Sequence, residues 1–334
     1  MLPLRFVPYH LCTDLRNVVV DGSANAATCL TLSHWPGSPT PMAVRDDLSA
    51  QIALRSLDVP ELFDGVDVVT NNHFDQDGLC SAYALVHPRA ALARRERVVD
   101  VARAGDFGTF QSRDAARIAF AIAALEDPNV STLGREVLAG SYPERCGRLY
   151  EALLPMMDEL LDHPDRFRPL WDTEDAHLGA SLAAVRDGVV TIAEIADIDL
   201  AIITVPPDWA QRMTHRFTQS RTDAVHPMAL NQATSCLRLL VLEGDRCWLE
   251  CRYETWVMMT SRIVTPRPDL RPLAGLLEEL EPDGAAWRSD APGSLTPRVA
   301  PTSGLTAIAP TLLCSEIERF LRTAPGAWDP VLAR

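Results

Sequence analysis

The sequence contains no lysine: all 31 of its basic residues are arginine. That excludes a lysine Schiff base and the lysine of a nucleotide-binding P-loop. Nor is there a Cys-x-x-Cys pair. The eight cysteines are scattered, and the closest two, in "CWLEC" (247–251), have the alternation of a strand rather than the spacing of a zinc knuckle. They are expected to be buried thiols in a reducing compartment. No apolar run approaches the roughly 20 residues of a membrane-spanning helix; the longest, "IAFAIAAL" (118–125), ends at Glu126. The opening residues lack the basic-then-apolar order of a secretory leader, so a soluble, cytoplasmic protein is expected, with no membrane partner. A basic stripe is missing too. With 45 acidic residues the net charge is −14, which argues against long nucleic acid as a partner and leaves small anions held by a few arginines.

What is present suits two domains. A chain of 334 residues exceeds the usual size of a single core, and 47% apolar residues can fill more than one. In the first part, β-branched runs alternate with helical periodicity. Strands are expected at "RNVVVDG" (16–22) and "VDVVTN" (66–71), while "ATCLTLSHWPG" (27–37) is open between helix and strand. Helices are expected at 43–58, 79–86, 112–127 and 144–162; residues 89–105 read either as one helix stopped by Gly105 or as a helix followed by a strand at 97–101. Such alternation favours an α/β domain over 1–170, with a mostly parallel sheet and helices on both faces. A connecting helix over 171–188, closed by Gly188, leads to a smaller α+β domain over 189–334. Its clearest feature is a hairpin at 236–257 turning at Gly244-Asp245, with its charged residues, Arg252 and Glu254 among them, on an outer face.

The chemistry concentrates in "VVTNNHFDQDGLCSAYAL" (68–85). His73, Asp75 and Asp77 are two apart, so an extended segment projects them to one side, and Gly78 then lets the chain turn into a helix. Open α/β sheets place ligands where strand ends face helix N-termini, and carboxylates with an imidazole suit Mn²⁺, Mg²⁺ or Zn²⁺. A calcium loop does not fit, because position 12 of that loop would be Ala84 instead of glutamate. An acidic turn with an aspartate capping the next helix is the competing structural reading.

The stretch resembles the first motif of the DHH-superfamily phosphoesterases, in which a strand runs into His-or-Asp, x, Asp, x, Asp-Gly and a helix. The resemblance covers about 20 residues closely and the two-domain plan loosely. It implies that His73, Asp75 and Asp77 hold metal, with Mn²⁺ the expected ion. It also implies a further aspartate after a later element; Asp106 in "ARAGDFG" is the candidate and Asp100 the reserve. The Asp-His-His tripeptide of that superfamily is absent. Because a parallel sheet gathers its strand ends on one edge, Asp21 and His34 are candidate replacement ligands. Asp75, Asp77 and Asp106 are the expected catalytic carboxylates.

The superfamily's second domain supplies substrate-binding groups. By role rather than motif, "MTHRFTQSRTDAVHPMALNQ" (213–232) resembles such a segment, with Arg216 and Arg221 as phosphate forks beside His215 and His226. The expectation is a divalent-metal-dependent phosphoesterase acting on a nucleotide or another small phosphorylated molecule. The alternative is a non-catalytic nucleotide- or partner-binding protein of DHH-like fold.

Overall fold

The computed structural model describes residues 3–207, 209, 213–214 and 222–333, and the chain divides into two compact units. Among the described residues, unit 1 comprises those up to Ala176 together with Thr214 and the short segment Met259–Ser261.

Unit 1 is built on four parallel strands: β1 (Arg5–Phe6), β2 (Asn17–Val20), β3 (Thr28–Leu32) and β4 (Val68–Thr70), in the order β1-β4-β2-β3. Val18, Val19 and Val20 are fully buried, as expected for a central parallel strand covered on its faces. From β2 the chain moves to β3 on one side and then crosses to β4 on the other. The C-terminal ends of β2 and β4 therefore flank a topological switch point, where α/β sheets open a crevice.

Around the sheet lie α1 (Ser49–Ser56), α2 (Gln76–Val86), α3 (Pro88–Ala93), α4 (Arg95–Asp106), α5 (Arg113–Glu126), α6 (Arg135–Leu138), α7 (Tyr142–Leu153) and α8 (Met157–Asp162). Helix α2 packs against α1 and α4, and every residue from Asp77 to Leu85 is buried. Small side chains at Gly78, Ser81, Ala82 and Ala84 permit that close approach. Helix α9 (Arg168–Arg186) ends in a left-handed glycine, Gly188, with Val189 N–H donating to Ala184 O.

Several expectations need correction. Helix α1 begins at Ser49, six residues later than expected, because its first N–H groups are capped by a carboxylate from another element (Asp77, below). Residues 97–101 form no strand: Val98, Val101 and Ala102 form the buried side of α4. Gly105 does not stop that helix; a Cβ there would lie 2.5 Å from Gln76 Cβ, so the glycine serves packing. Pro155 breaks the helix expected over 144–162 into α7 and α8.

Unit 2 comprises His177–Met213, Thr222–Met258 and Arg262–Arg334. Its strands β5 (Thr191–Ile195) and β6 (Leu200–Val205) precede a two-residue pair, β7 (Met213–Thr214) and β8 (Thr222–Asp223). Helix α10 (Pro227–Ala233) and the hairpin β9 (Arg238–Glu243) and β10 (Arg246–Cys251) follow. The hairpin turns at Gly244, whose φ of +57° suits glycine. Then come β11 (Arg267–Pro268), α11 (Arg271–Leu280), β12 (Trp287–Ser289), β13 (Arg298–Pro301), α12 (Pro310–Thr323) and β14 (Gly326–Trp328). The six-stranded sheet runs β12-β13-β10-β9-β6-β5, with only β6 and β9 parallel. Its core gathers Cys247, Leu249, Trp287 and Val299 with Leu273, Leu277, Leu313 and Ile317 of α11 and α12. Arg252 and Glu254 do not belong to an outer face: they are buried and paired at 2.5 Å.

Candidate metal centre

Five chain segments of unit 1 bring their ends to one point. Asp21 follows β2 directly, His34 lies two residues beyond β3, and His73 and Asp75 lie beyond β4. Asp77 sits in the first turn of α2, and Asp106 is the last residue of α4. Asp21 has a left-handed backbone with φ of +44°, a conformation that aspartate and asparagine tolerate better than most side chains.

Two groups of three ligand atoms result, each within 4.8 Å: Asp21 with His73 and Asp75, and Asp21 with His34 and Asp77. Asp21 belongs to both. Its Oδ2 lies 3.3 Å from His73 Nε2, and its Oδ1 lies 3.5 Å from His34 Nε2. His34 Nε2 is also 3.3 Å from Asp106 Oδ2 and 3.8 Å from Asp77 Oδ2. No guanidinium pairs with Asp21, Asp75 or Asp77 among the described residues. A cluster of acids left in that state favours an added cation.

The electrostatics divide the two histidines. His34 Nδ1 lies 2.5 Å from the Asp47 carbonyl oxygen, which can only accept, so this nitrogen carries the proton. Burial pushes the His34 pKa down against the pull of Asp21, so the ring is neutral and presents the lone pair of Nε2 to the carboxylates. His73 behaves oppositely. Burial works against its charged form, but Asp75 and Asp21 outweigh it and hold its pKa well above the ordinary value. Its Nε2 donates to Asp75 Oδ2 at 2.7 Å. Asp21 is buried, yet His73, His34 and the Ser49 hydroxyl at 2.8 Å hold it in the charged form. Burial and the neighbouring Asp21 and Asp75 drive Asp77 well above the carboxylate range, partly relieved by the Ala50 and Ser49 N–H groups.

All six expected metal ligands therefore share one locality, although the reason is not the strict alternation inferred for residues 73–77. Asp75 has extended backbone and caps α2, its Oδ1 accepting from Gly78 N–H at 2.7 Å. Asp77 is already helical, and accepts from Ser49 N–H at 2.8 Å and Ala50 N–H at 2.7 Å. It thus caps α1 while facing the centre, and the capping reading of this motif also holds. Asp106 reaches the centre from the last turn of α4, with His34 Nε2 3.3 Å from its Oδ2. Asp100, the reserve, is directed elsewhere, receiving Gln111 N–H and Ser112 N–H, both at 2.8 Å, ahead of α5. His215, Arg216 and Arg221 lie outside the described residues. His226, in unit 2, is fully buried, and its Nδ1 accepts from Met228 N–H at the start of α10. Sequence reasoning missed Asp47, Ser49, Asn71 and Tyr150. Only "NNH" carried any signal, since Asn71 Oδ1 accepts from His73 N–H at 3.0 Å in an Asx-type turn.

Glu126, at the end of α5, carries a testable consequence of this charge cluster. Burial and the nearby Asp75, opposed by Arg145, raise its pKa from 4.5 to about 7. The folded chain thus holds a proton that the unfolded chain has released. Stability contributed at this position is lost as pH rises from about 4.5 to about 7. Glu126→Gln is expected to stabilise the protein by about 1–3 kcal/mol at pH 8 and to change little at pH 4. Urea unfolding at both pH values checks this, and an equal gain at both would contradict it.

Comparison with known proteins adds the following. The model of a family of unknown function (DUF6687) matches residues 2–331. A search of curated proteins found no match. Among solved structures, the chain is similar to an exopolyphosphatase-related protein from Bacteroides fragilis. Identity is 12%, coverage is 80% of this chain and 74% of that one, and the TM-score is 0.29. That likeness is too slight to assign a function.

Proposed function

The chain belongs to the DUF6687 family, whose function is unknown, and we propose from its site that it is a divalent-metal-dependent phosphoesterase acting on a small phosphorylated molecule. The observation that carries this reading is the sharing of Asp21 between two three-ligand groups. The donor set fits hard or borderline divalent ions: carboxylate oxygens plus two imidazole nitrogens, with Asp21 Oδ2 buried and receiving no hydrogen bond among the described residues. Mn²⁺ suits this mixture, and Mg²⁺ and Zn²⁺ are the alternatives to test. Asp21, Asp75 and His73 would hold one ion, and Asp21, His34 and Asp77 a second, with Asp106 beside His34; His73 and Asp77 would first have to release the protons they carry in the metal-free chain. Such ions supply Lewis acidity toward phosphoryl oxygen and a more acidic bound water.

The chain's own contributions follow from its contacts. The Asp47 carbonyl keeps His34 in the tautomer that presents Nε2. The α1 N–H groups fix both oxygens of Asp77, and Gly78 N–H fixes Asp75. These bonds hold the carboxylates in place before any ion arrives, which lowers the cost of assembling the site. The net charge of −14 and the absence of lysine favour a nucleotide-sized substrate over long nucleic acid.

The test is purified protein with Mn²⁺, Mg²⁺ or EDTA, assayed on a chromogenic phosphodiester, pyrophosphate and a nucleotide panel. Turnover is expected with Mn²⁺ and none with EDTA. Saturating Mn²⁺ is expected to stabilise the fold by about 2.7 kcal/mol at a hundredfold excess over Kd, read as a rise in Tm. Binding of metal without turnover on any phosphate compound would replace this reading with that of a binding module. No rise in Tm with any of the three ions would remove the metal centre altogether.

A further inference from the structure

A second concentration of chemistry lies wholly within unit 2. Cys247 and Leu249 of β10, Val299 of β13 and Trp287 of β12 point into the core. Their chain neighbours Arg246, Trp248, Arg298 and Arg288 therefore project from the opposite face of the same three strands. There they line a cavity of about 300 Å³, closed on one side by the turn Thr302–Gly304. Ala300, paired with Arg288 in the ladder, adds little bulk to it.

Three features distinguish this cradle from an ordinary polar surface. Arg246 and Arg288 have no carboxylate partner among the described residues, unlike Arg252, Arg271 and Arg319 of the same unit. Arg298 is stacked over the Trp248 ring at 4.4 Å and is thereby pre-ordered. The one acidic side chain lining the cavity, Asp290, already accepts Arg298 N–H at 3.1 Å through Oδ2. Gly304, with φ of +77°, brings its turn close to Arg246: a Cβ there would sit 3.3 Å from Nη1. In a chain of net charge −14, three guanidinium groups face this concavity against a single lining carboxylate, Asp290.

We propose that this cradle binds a small phosphate-bearing anion, held by the forks of Arg246 and Arg288 with Arg298 as the fixed third charge. Guanidinium forks match phosphate oxygens in pairs, and about 300 Å³ is at the small end of ligand sites, suited to a mononucleotide-sized molecule rather than a polymer. The site is independent of the metal centre and does not require that the chain be an enzyme.

The experiment is isothermal titration of the full chain with inorganic phosphate, pyrophosphate and adenosine 5′-monophosphate, in EDTA and at physiological ionic strength. Saturable binding of at least one probe is expected, accompanied by a change in tryptophan fluorescence that Trp248→Phe reduces. Arg246→Ala or Arg288→Ala should weaken it at least about tenfold each, the loss of one paired, charge-assisted contact, and the double variant should abolish it. Arg288→Lys should recover less than half of the loss, since charge without the fork is insufficient. Both arginines are exposed, so the variants are expected to fold, with unchanged Tm as the control. Absence of saturable binding by all three probes, or equal affinity in the double variant, would overturn the proposal. Persistence of binding in Asp21→Asn separates this outcome from any failure of the metal-centre reading.

Discussion

On the proposed phosphoesterase reading, Asp21→Asn is expected to lower phosphoester turnover at least a thousandfold and to remove both metal-binding events while leaving the fold intact. A thousandfold corresponds to about 4 kcal/mol of barrier, a loss that fits removal of the one carboxylate shared by both ligand groups. Asparagine keeps one oxygen but loses the negative charge and the second acceptor, so it would not serve both ligand groups. The fold should survive because asparagine adopts left-handed backbone as readily as aspartate, and residue 21 has φ of +44°. Its amide oxygen can still accept from the Ser49 hydroxyl, now 2.8 Å from Asp21 Oδ1. Asp75→Asn belongs to one group only and should leave a single binding event. Calorimetry with Mn²⁺ counts the events, and thermal unfolding in EDTA checks the fold. If Asp21→Asn kept the wild-type stoichiometry, the shared-ligand description would be wrong.

Gly78→Ala is expected to destabilise the protein by about 2–4 kcal/mol, more than an alanine placed in a helix would suggest. Alanine is the better helix former by roughly 1 kcal/mol, so propensity alone predicts a gain. Packing reverses the sign. A Cβ at this position would lie 2.4 Å from Tyr150 Oη, 2.5 Å from Asn71 Nδ2 and 3.1 Å from Asp75 Oδ1. Tyr150 cannot easily withdraw, because its ring stacks on Phe6 at 4.7 Å and meets Phe74 edge-on at 5.2 Å. Asn71 is likewise held, since its Oδ1 receives His73 N–H. The displacement therefore reaches Asp75 and His73, and weaker Mn²⁺ binding should accompany the lost stability. Urea unfolding and metal titration of the same variant test both parts. A neutral or stabilising effect would show that the tyrosine yields freely.

Residues read one segment at a time went far toward the architecture. The valine run at 18–20, the strand at 68–70 and the long periodic helices at 113–126 and 168–186 follow from local pattern, as does the turn at Gly244. The centre was legible in part for the same reason: His73, Asp75 and Asp77 stand together in the chain. Their arrangement was not, because the helix begins one residue after Asp75 and carries Asp77 into its first turn. Local pattern also misjudged Gly105, where the decisive neighbour is Gln76 from another helix.

Sequence alone determined the class of fold, the absence of lysine chemistry and the acidic motif ahead of Gly78. Tertiary structure decided that Asp21, His34 and Asp106 would join that motif, that Asp77 would cap α1, and that the Asp47 carbonyl would set the His34 tautomer. The physical reason is topological. A strand's pattern is written in neighbouring residues, but parallel pairing in the order β1-β4-β2-β3 is what brings the carboxyl ends of β2, β3 and β4 to one edge, and nothing within a single segment encodes which other ends it will meet.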